Sequence, residues 1–223
     1  MKQRGLSLLI GSLALLSAHS TSAAPLAVST FDTGTDGWTI FSDGTGPVFE
    51  PGVGNPPGDI IGSDVVLGQV WYFNAPASFL GNKSAASLLS FDMSQSATTT
   101  QFNSSDVVLI GGGLTLALDT VPSPAAFPNF THYEVSLGSA TGWHIDTLGG
   151  AGASKEQLDT VLSALSALRI RGEFVNGADQ ARLDNVVLDT DPTGVPEPMS
   201  RMILGAGFVG LWGGIVWRRR QRR

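Results

Sequence analysis

Apolar and polar residues alternate in short runs along most of this chain. Leu89-Ser90-Phe91-Asp92-Met93, Leu114-Thr115-Leu116-Ala117-Leu118 and Tyr133-Glu134-Val135-Ser136-Leu137 follow a period of two, the spacing of a strand with one buried face. The same reading predicts strands at residues 38–41, 70–73, 107–110, 168–174 and 184–188. The Gly- and Pro-rich stretches 44–62 and 121–128 are expected to be loops. One segment changes period. Over 154–168, Ser154 and Gln157 form a capping box, and Leu158, Val161, Leu162, Leu165 and Leu168 make a helical stripe. Many short strands and one amphipathic helix predict an all-β, antiparallel β-sandwich with the helix packed at an edge or end.

The two ends break the pattern. Lys2 and Arg4 precede an apolar stretch over 6–16, and Thr21-Ser22-Ala23-Ala24 follows, which reads as a secretory signal peptide (1–23) cut after Ala23. At the other end, a linker (191–198) leads into a nearly uninterrupted apolar run (199–217) and the basic tail 218–223. At 1.5 Å per residue that run is about 28 Å long as a helix, enough to cross a bilayer. Arg201, near its start, can snorkel to the headgroups, and the terminal arginines stay cytoplasmic by the positive-inside rule. The piece between the ends, with its folded part at 24–190, is therefore expected outside the cytoplasm.

The three-part tail, Pro196-Glu197-Pro198 followed by a membrane helix and a basic end, resembles the PEP-CTERM sorting signal of Gram-negative bacteria that make exopolysaccharide. The resemblance implies an exosortase-like membrane enzyme as partner, an inner-membrane intermediate, and release of the passenger to the cell surface or extracellular matrix. An ordinary C-terminal anchor with a stiff linker is the plainer alternative.

Removing the ends changes the charge. The whole chain carries −6, but residues 24–198 hold all nineteen acidic residues against five basic ones, Lys83, Lys155, Arg169, Arg171 and Arg182, a net of −14. Such a piece is a poor partner for nucleic acid or anionic lipid and suits divalent cations or neutral glycans. Without cysteine, its stability must come from its core.

Within it, Gln69 to Pro76, Phe79-Leu80-Gly81-Asn82-Lys83, Leu89-Ser90-Phe91-Asp92, Asp106 to Ile110, Gly142-Trp143, Leu168-Arg169-Ile170-Arg171-Gly172 and Leu183-Asp184-Asn185-Val186 together resemble the laminin IV type A domain, also called laminin B. The resemblance implies a jelly-roll, galactose-binding-like module for extracellular structure or recognition, with no catalytic site. The cysteine-rich repeats that flank such domains in animals are missing from this sequence, so their filament-building context does not carry over.

The residues offer little catalytic chemistry. The sequence holds no Gly-x-Ser-x-Gly elbow, His-Glu-x-x-His pair or Walker loop. His132 falls on the outer face of its strand with Glu134, and His144 follows Trp143 in a turn. Trp71 and Phe73 share a strand face opposite Tyr72, and with Trp38 and Trp143 they serve either the core or a sugar platform. A structural calcium ion is expected between the segment holding Asp32, which opens the domain, and Asp184, which closes it. By strand parity Asp184 should point coreward, where its charge needs a partner. Turn amides, Arg169 or Arg182 are the alternative partners. The functional expectation is a noncatalytic envelope or matrix protein. The alternatives are a carbohydrate-binding module for exopolysaccharide and, behind it, a glycan-active enzyme.

Overall fold

The computed structural model describes residues 24–65 and 68–190. The expected signal peptide, the Pro196-Glu197-Pro198 motif, the apolar run and the basic tail lie outside the described residues. Among the described residues no helix is long and apolar enough to cross a membrane.

The chain runs β1 (Ala27–Ser29), β2 (Thr39–Phe41), β3 (Thr45–Glu50), β4 (Asp59–Asp64), β5 (Tyr72–Asn74), β6 (Leu88–Gln95), β7 (Val107–Gly111), β8 (Leu114–Leu118), β9 (Ala125–Ala126), β10 (Thr131–Ser136), β11 (His144–Ile145), α1 (Lys155–Ser163), β12 (Leu165–Arg171) and β13 (Asp179–Asp189). These form two sheets. The first has the order β10-β6-β13-β4-β3, with β1 also on β13 and β9 beside β6; the second has the order β11-β8-β7-β12-β5-β2. Every pairing is antiparallel except β6 with β9.

Period-two alternation explains the sandwich. Leu89, Phe91 and Met93 of β6, Tyr133 and Val135 of β10, and Leu183, Val186 and Leu188 of β13 enter one core from the first sheet. Phe73, Val107, Leu109, Leu116, Leu168 and Ile170 enter it from the second. Trp71 lies against the backbones of Gly44, Gly62 and Gly172, where a Cβ would overlap its ring. Its indole N–H donates to Asp179 Oδ1 at 3.2 Å. Trp38, Phe31 and Phe79 form a second aromatic group with edge-on contacts.

Two expectations change. The stretch expected to be loop over 44–62 contains β3 and β4, and that over 121–128 contains the two-residue β9. β3 is an edge strand, and Pro47 sits where its register shifts against β4, a position that needs no ladder N–H. The helix is shorter than its apolar stripe. Ser154 and Gln157 cap it as expected, with Leu158, Val161 and Leu162 buried. It ends at Ser163 because Leu165 exchanges backbone hydrogen bonds with Gly81, opening β12, so Leu165 and Leu168 reach the core from a strand. The helix packs against β7 and β8.

Candidate functional site

The closing strand, β13, carries a defect that builds a polar site. Its pairing with β6 shifts register between Asp184 and Val187, and Asn185 has φ +49. This bulge breaks the side-chain alternation, so Leu183 and Val186 both enter the core although they stand three positions apart. Asp184 is therefore turned to the outer face of the first sheet, opposite Asp92, whose neighbours Phe91 and Met93 point inward. The coreward direction expected from parity is corrected by the bulge.

Asp184 is nonetheless fully buried, because something covers it. β4 pairs with β13 over Asp179 to Leu183, and β1 pairs with the same strand over Val186 to Leu188, which leaves a gap at Asp184-Asn185. The 51–58 turn fills that gap. Asn55 N–H donates to Asp184 Oδ2 and Asn185 N–H to Oδ1, both at 2.7 Å, while the Asn185 side chain donates to the Asn55 carbonyl and to Asp92 Oδ2 at 2.9 Å. Asp92 Oδ1 meets His132 Nδ1 at 2.6 Å. Burial pushes the Asp184 carboxyl up to about 6; the Asn55 and Asn185 amides oppose this, and nearby Asp92 and Asp59 reinforce it.

A Cβ on Gly54 would meet the Gly58 carbonyl at 2.6 Å, the Pro56 carbonyl at 2.7 Å and Asp184 Oδ2 at 2.9 Å. The turn carbonyls and Asp184 thus crowd the Gly54 backbone as closely as only glycine allows, with φ +113. Gly58, whose missing Cβ faces the Phe31 carbonyl and the Asp32 backbone, joins this turn to the opening of the domain. The Asp32 carboxylate accepts the Thr30 hydroxyl at 2.7 Å. Carboxylate and carbonyl oxygens such as these are the donors that calcium takes. Among the described residues no three acidic or histidine side chains form a metal cluster, so a cation here would draw on carbonyls as well as Asp184.

A second buried acidic group surrounds Trp71. Asp179 also accepts the Phe174 amide at 2.8 Å. Glu173 is 4% exposed, and its Oε2 has no hydrogen-bond partner. Burial raises its pKa to about 7, with Asp179 and Asp64 adding to the shift.

The outer face of the second sheet differs. Phe41 pairs with Tyr72, and Asn74 stands between Thr39 and Arg169 in the ladder. The neighbours of Arg169 on β12, Leu168 and Ile170, are core residues, so Arg169 points outward, with its guanidinium 3.4 Å from the Phe41 ring centroid. Its Nε is buried without a partner. Desolvation lowers its pKa from the usual value, opposed only by Tyr72. Arg171 is instead enclosed, paired with Asp106 at 3.2 Å and donating to the Phe102 carbonyl at 2.9 Å.

Asp32 and Asp184 therefore lie on either side of one turn, with the amides of Asn55 and Asn185 on Asp184. Arg182 pairs with Glu50 and Asp59 instead. His132 is exposed but tied to Asp92, and His144 contacts the Gly150 carbonyl at 3.0 Å. Trp38, Trp71 and Trp143 are at most 2% exposed, so all three serve the core. The Asn55–Gly54 turn and the Arg169 face were not singled out in the sequence. The signal for Arg169 was there: a basic residue at an outward position in a strongly acidic piece.

This chain resembles several known proteins in sequence or in structure. It is 28% identical over 151 residues to laminin subunit gamma-1 of Xenopus tropicalis, a match that covers 66% of this chain and 9% of that protein. This chain thus spans less than a tenth of that relative. Among solved structures, the L4b domain of human laminin alpha-2 superimposes with a TM-score of 0.48 at 15% identity, over 55% of this chain and 71% of that one. The family 11 carbohydrate-binding module of the Clostridium thermocellum cellulase Lic26A-Cel5E gives 0.48 at 12% identity, over 76% and 97%. The model of the Laminin B (Domain IV) family matches residues 72–200, more than half the chain and the stretch from β5 through the bulged strand β13. The chain belongs to the Laminin B (Domain IV) family.

Proposed function

We propose that this protein is an exported, noncatalytic module of the cell envelope or extracellular matrix, delivered by its N-terminal signal peptide and sorted through Pro196-Glu197-Pro198 by an exosortase-like enzyme. The observation that carries the proposal is the ordered pair of addresses flanking a laminin B domain: a charged and apolar leader before Ala24, and a motif, apolar run and arginine-rich end after residue 195. The acidic, cysteine-free domain suits a surface exposed to polysaccharide rather than to nucleic acid. Intact-mass analysis of protein stripped from the cell surface tests this reading. It should begin near Ala24 and contain nothing from Met202 onward. Surface material that still carries 199–223 would refute sorting and leave a plain membrane anchor.

Calcium belongs to this proposal as a structural ion. Asp184, the carbonyls of Pro56 and Gly58, and Asp32 from the opening segment would hold it. It would neutralise the Asp92–Asp184 pair and tie the 51–58 turn to the first and last strands.

Binding of the cell's own exopolysaccharide is the second reading, favoured by the outer face of the second sheet. Phe41 there is 41% exposed and supports an arginine whose charge no carboxylate of the described residues balances.

A further inference from the structure

We propose that the face formed by Arg169, Phe41, Tyr72, Asn74 and Thr39 binds the carboxylate of uronic acid residues in an acidic polysaccharide. This rests on the glycan reading above and narrows it to a charged sugar.

The other basic side chains of the domain each have an oxygen partner. Arg171 pairs with Asp106, Arg182 with Glu50 and Asp59, and Lys155 with Asp159, while Lys83 donates to the Ser78 carbonyl. Among the described residues Arg169 is the arginine with no carboxylate partner, in a piece where acidic side chains outnumber basic ones almost four to one. A chance surface arginine in such a sequence would find a counter-ion or extend into water. Arg169 does neither. Its guanidinium lies on the Phe41 ring, and its Nε is out of water with nothing to donate to. Holding a cation partly desolvated without a partner is unfavourable, and an incoming carboxylate relieves that cost.

Geometry sets the ligand. A guanidinium held flat on an aromatic ring presents a planar fork that matches a carboxylate with two parallel hydrogen bonds. β2, β5 and β12 are neighbours about 4.8 Å apart, so Thr39, Asn74 and Arg169 line one row across roughly 10 Å, about the reach of two sugar rings. The Asn74 amide and the Thr39 hydroxyl, joined by only a long 3.4 Å contact, are free to exchange that contact for ring hydroxyls. Tyr72 packs beside Phe41 at 6.5 Å, its ring tilted by 53°, and extends the aromatic side of this face. The net charge of the domain does not forbid this ligand, because at physiological salt repulsion beyond about 8 Å is largely screened.

The test titrates the purified full chain, in mild detergent, with oligomers of galacturonate and of mannuronate and with their methyl esters, by calorimetry or NMR. One acid oligomer should bind at least about tenfold more tightly than its ester, as one charge-assisted bidentate contact allows. Arg169→Gln should abolish that difference, and Lys83→Gln should keep it. Should Arg169→Gln fail to fold, Arg169→Lys keeps the charge but loses the fork, and its acid preference should fall at least about threefold. Equal binding of acid and ester overturns the carboxylate assignment and leaves the glycan reading standing. No binding of any oligomer overturns both. A folded Arg169 variant that keeps the full acid preference removes Arg169 from the site.

Discussion

On the outer face of the first sheet, Asp184 and Asp92 stand side by side, and the fold surrounds them with donors: two backbone amides, the Asn185 side chain and His132. On the outer face of the second sheet, Arg169 is partly buried against Phe41 and receives no carboxylate. Both faces thus remove a charge from water, but Asp184 is satisfied by its own fold and Arg169 is not. A charge satisfied by its own fold stabilises that fold. One left unsatisfied contributes little to stability and is a candidate for recognition. The bulge at Asn185 creates the first arrangement by turning a core-parity aspartate outward under the 51–58 turn. Plain alternation creates the second: it turns Arg169 outward from β12 beside β5, where it meets the Phe41 ring and no carboxylate.

Both faces depend on the shared core, so disturbing that core should have the largest effect. Leu162→Asp places a charge in the core between α1 and the second sheet and should cost about 4 kcal/mol or more in chemical denaturation, enough to unfold a marginal domain. A loss below about 0.5 kcal/mol would mean that α1 is solvated. Gly172→Ala pushes a Cβ into the Trp71 ring and should cost about 2–3 kcal/mol, with a lowered melting temperature and altered tryptophan fluorescence.

Calcium sharpens the contrast, since it should act on one face only. At a hundredfold excess over its Kd the ion would add about 2.7 kcal/mol, roughly 5–10 °C in Tm, and a chelator should reverse the gain. Identical melts with calcium and chelator, together with no calcium by elemental analysis, would return Asp32 and Asp184 to the role of turn residues.

A smaller effect should follow from pH. Glu173, raised to about 7, and Asp184, raised to about 6, both bind protons more tightly folded than unfolded. Their contribution is fully present below about pH 4 and is lost as pH climbs through about 6 to 7. Melting temperatures measured without calcium should therefore fall by a few degrees between pH 5 and pH 7.5. Glu173→Gln, which keeps the shape without the charge, should flatten the part centred near 7. A Tm that rises across this interval would contradict the burial described for both groups.

Much of the sandwich was legible because alternation survives wherever a strand has one wet face: β6, β8 and β10 were expected within two residues of their ends. β3 and β4 were hidden by glycine and proline, which serve here to admit the Trp71 ring at Gly62 and to let an edge strand shift register at Pro47. The α1 to β12 transition was hidden by a coincidence of spacing. Leu165 and Leu168 continue the helical stripe of Leu158, Val161 and Leu162 while belonging to a strand. At the candidate sites, the choice of Asp184 as a residue needing a partner was readable from its neighbours, but its direction was not, because a bulge leaves no mark in a period-two pattern. Arg169 was readable as outward. That no acidic residue would fold back to meet it depends on tertiary packing and could not be read.

The most direct test of the division between the two faces is a pair of denaturation experiments on Asp184→Asn and Arg169→Gln. In Asp184→Asn an amide NH2 must replace one of the oxygens that accept Asn55 and Asn185, which should cost about 1–3 kcal/mol. Arg169→Gln removes a guanidinium with no counter-ion and should change stability by no more than about 0.5 kcal/mol. The reverse result, a stable Asp184→Asn and a strongly destabilised Arg169→Gln, would contradict the account, for it would make the open face structural and the covered one dispensable.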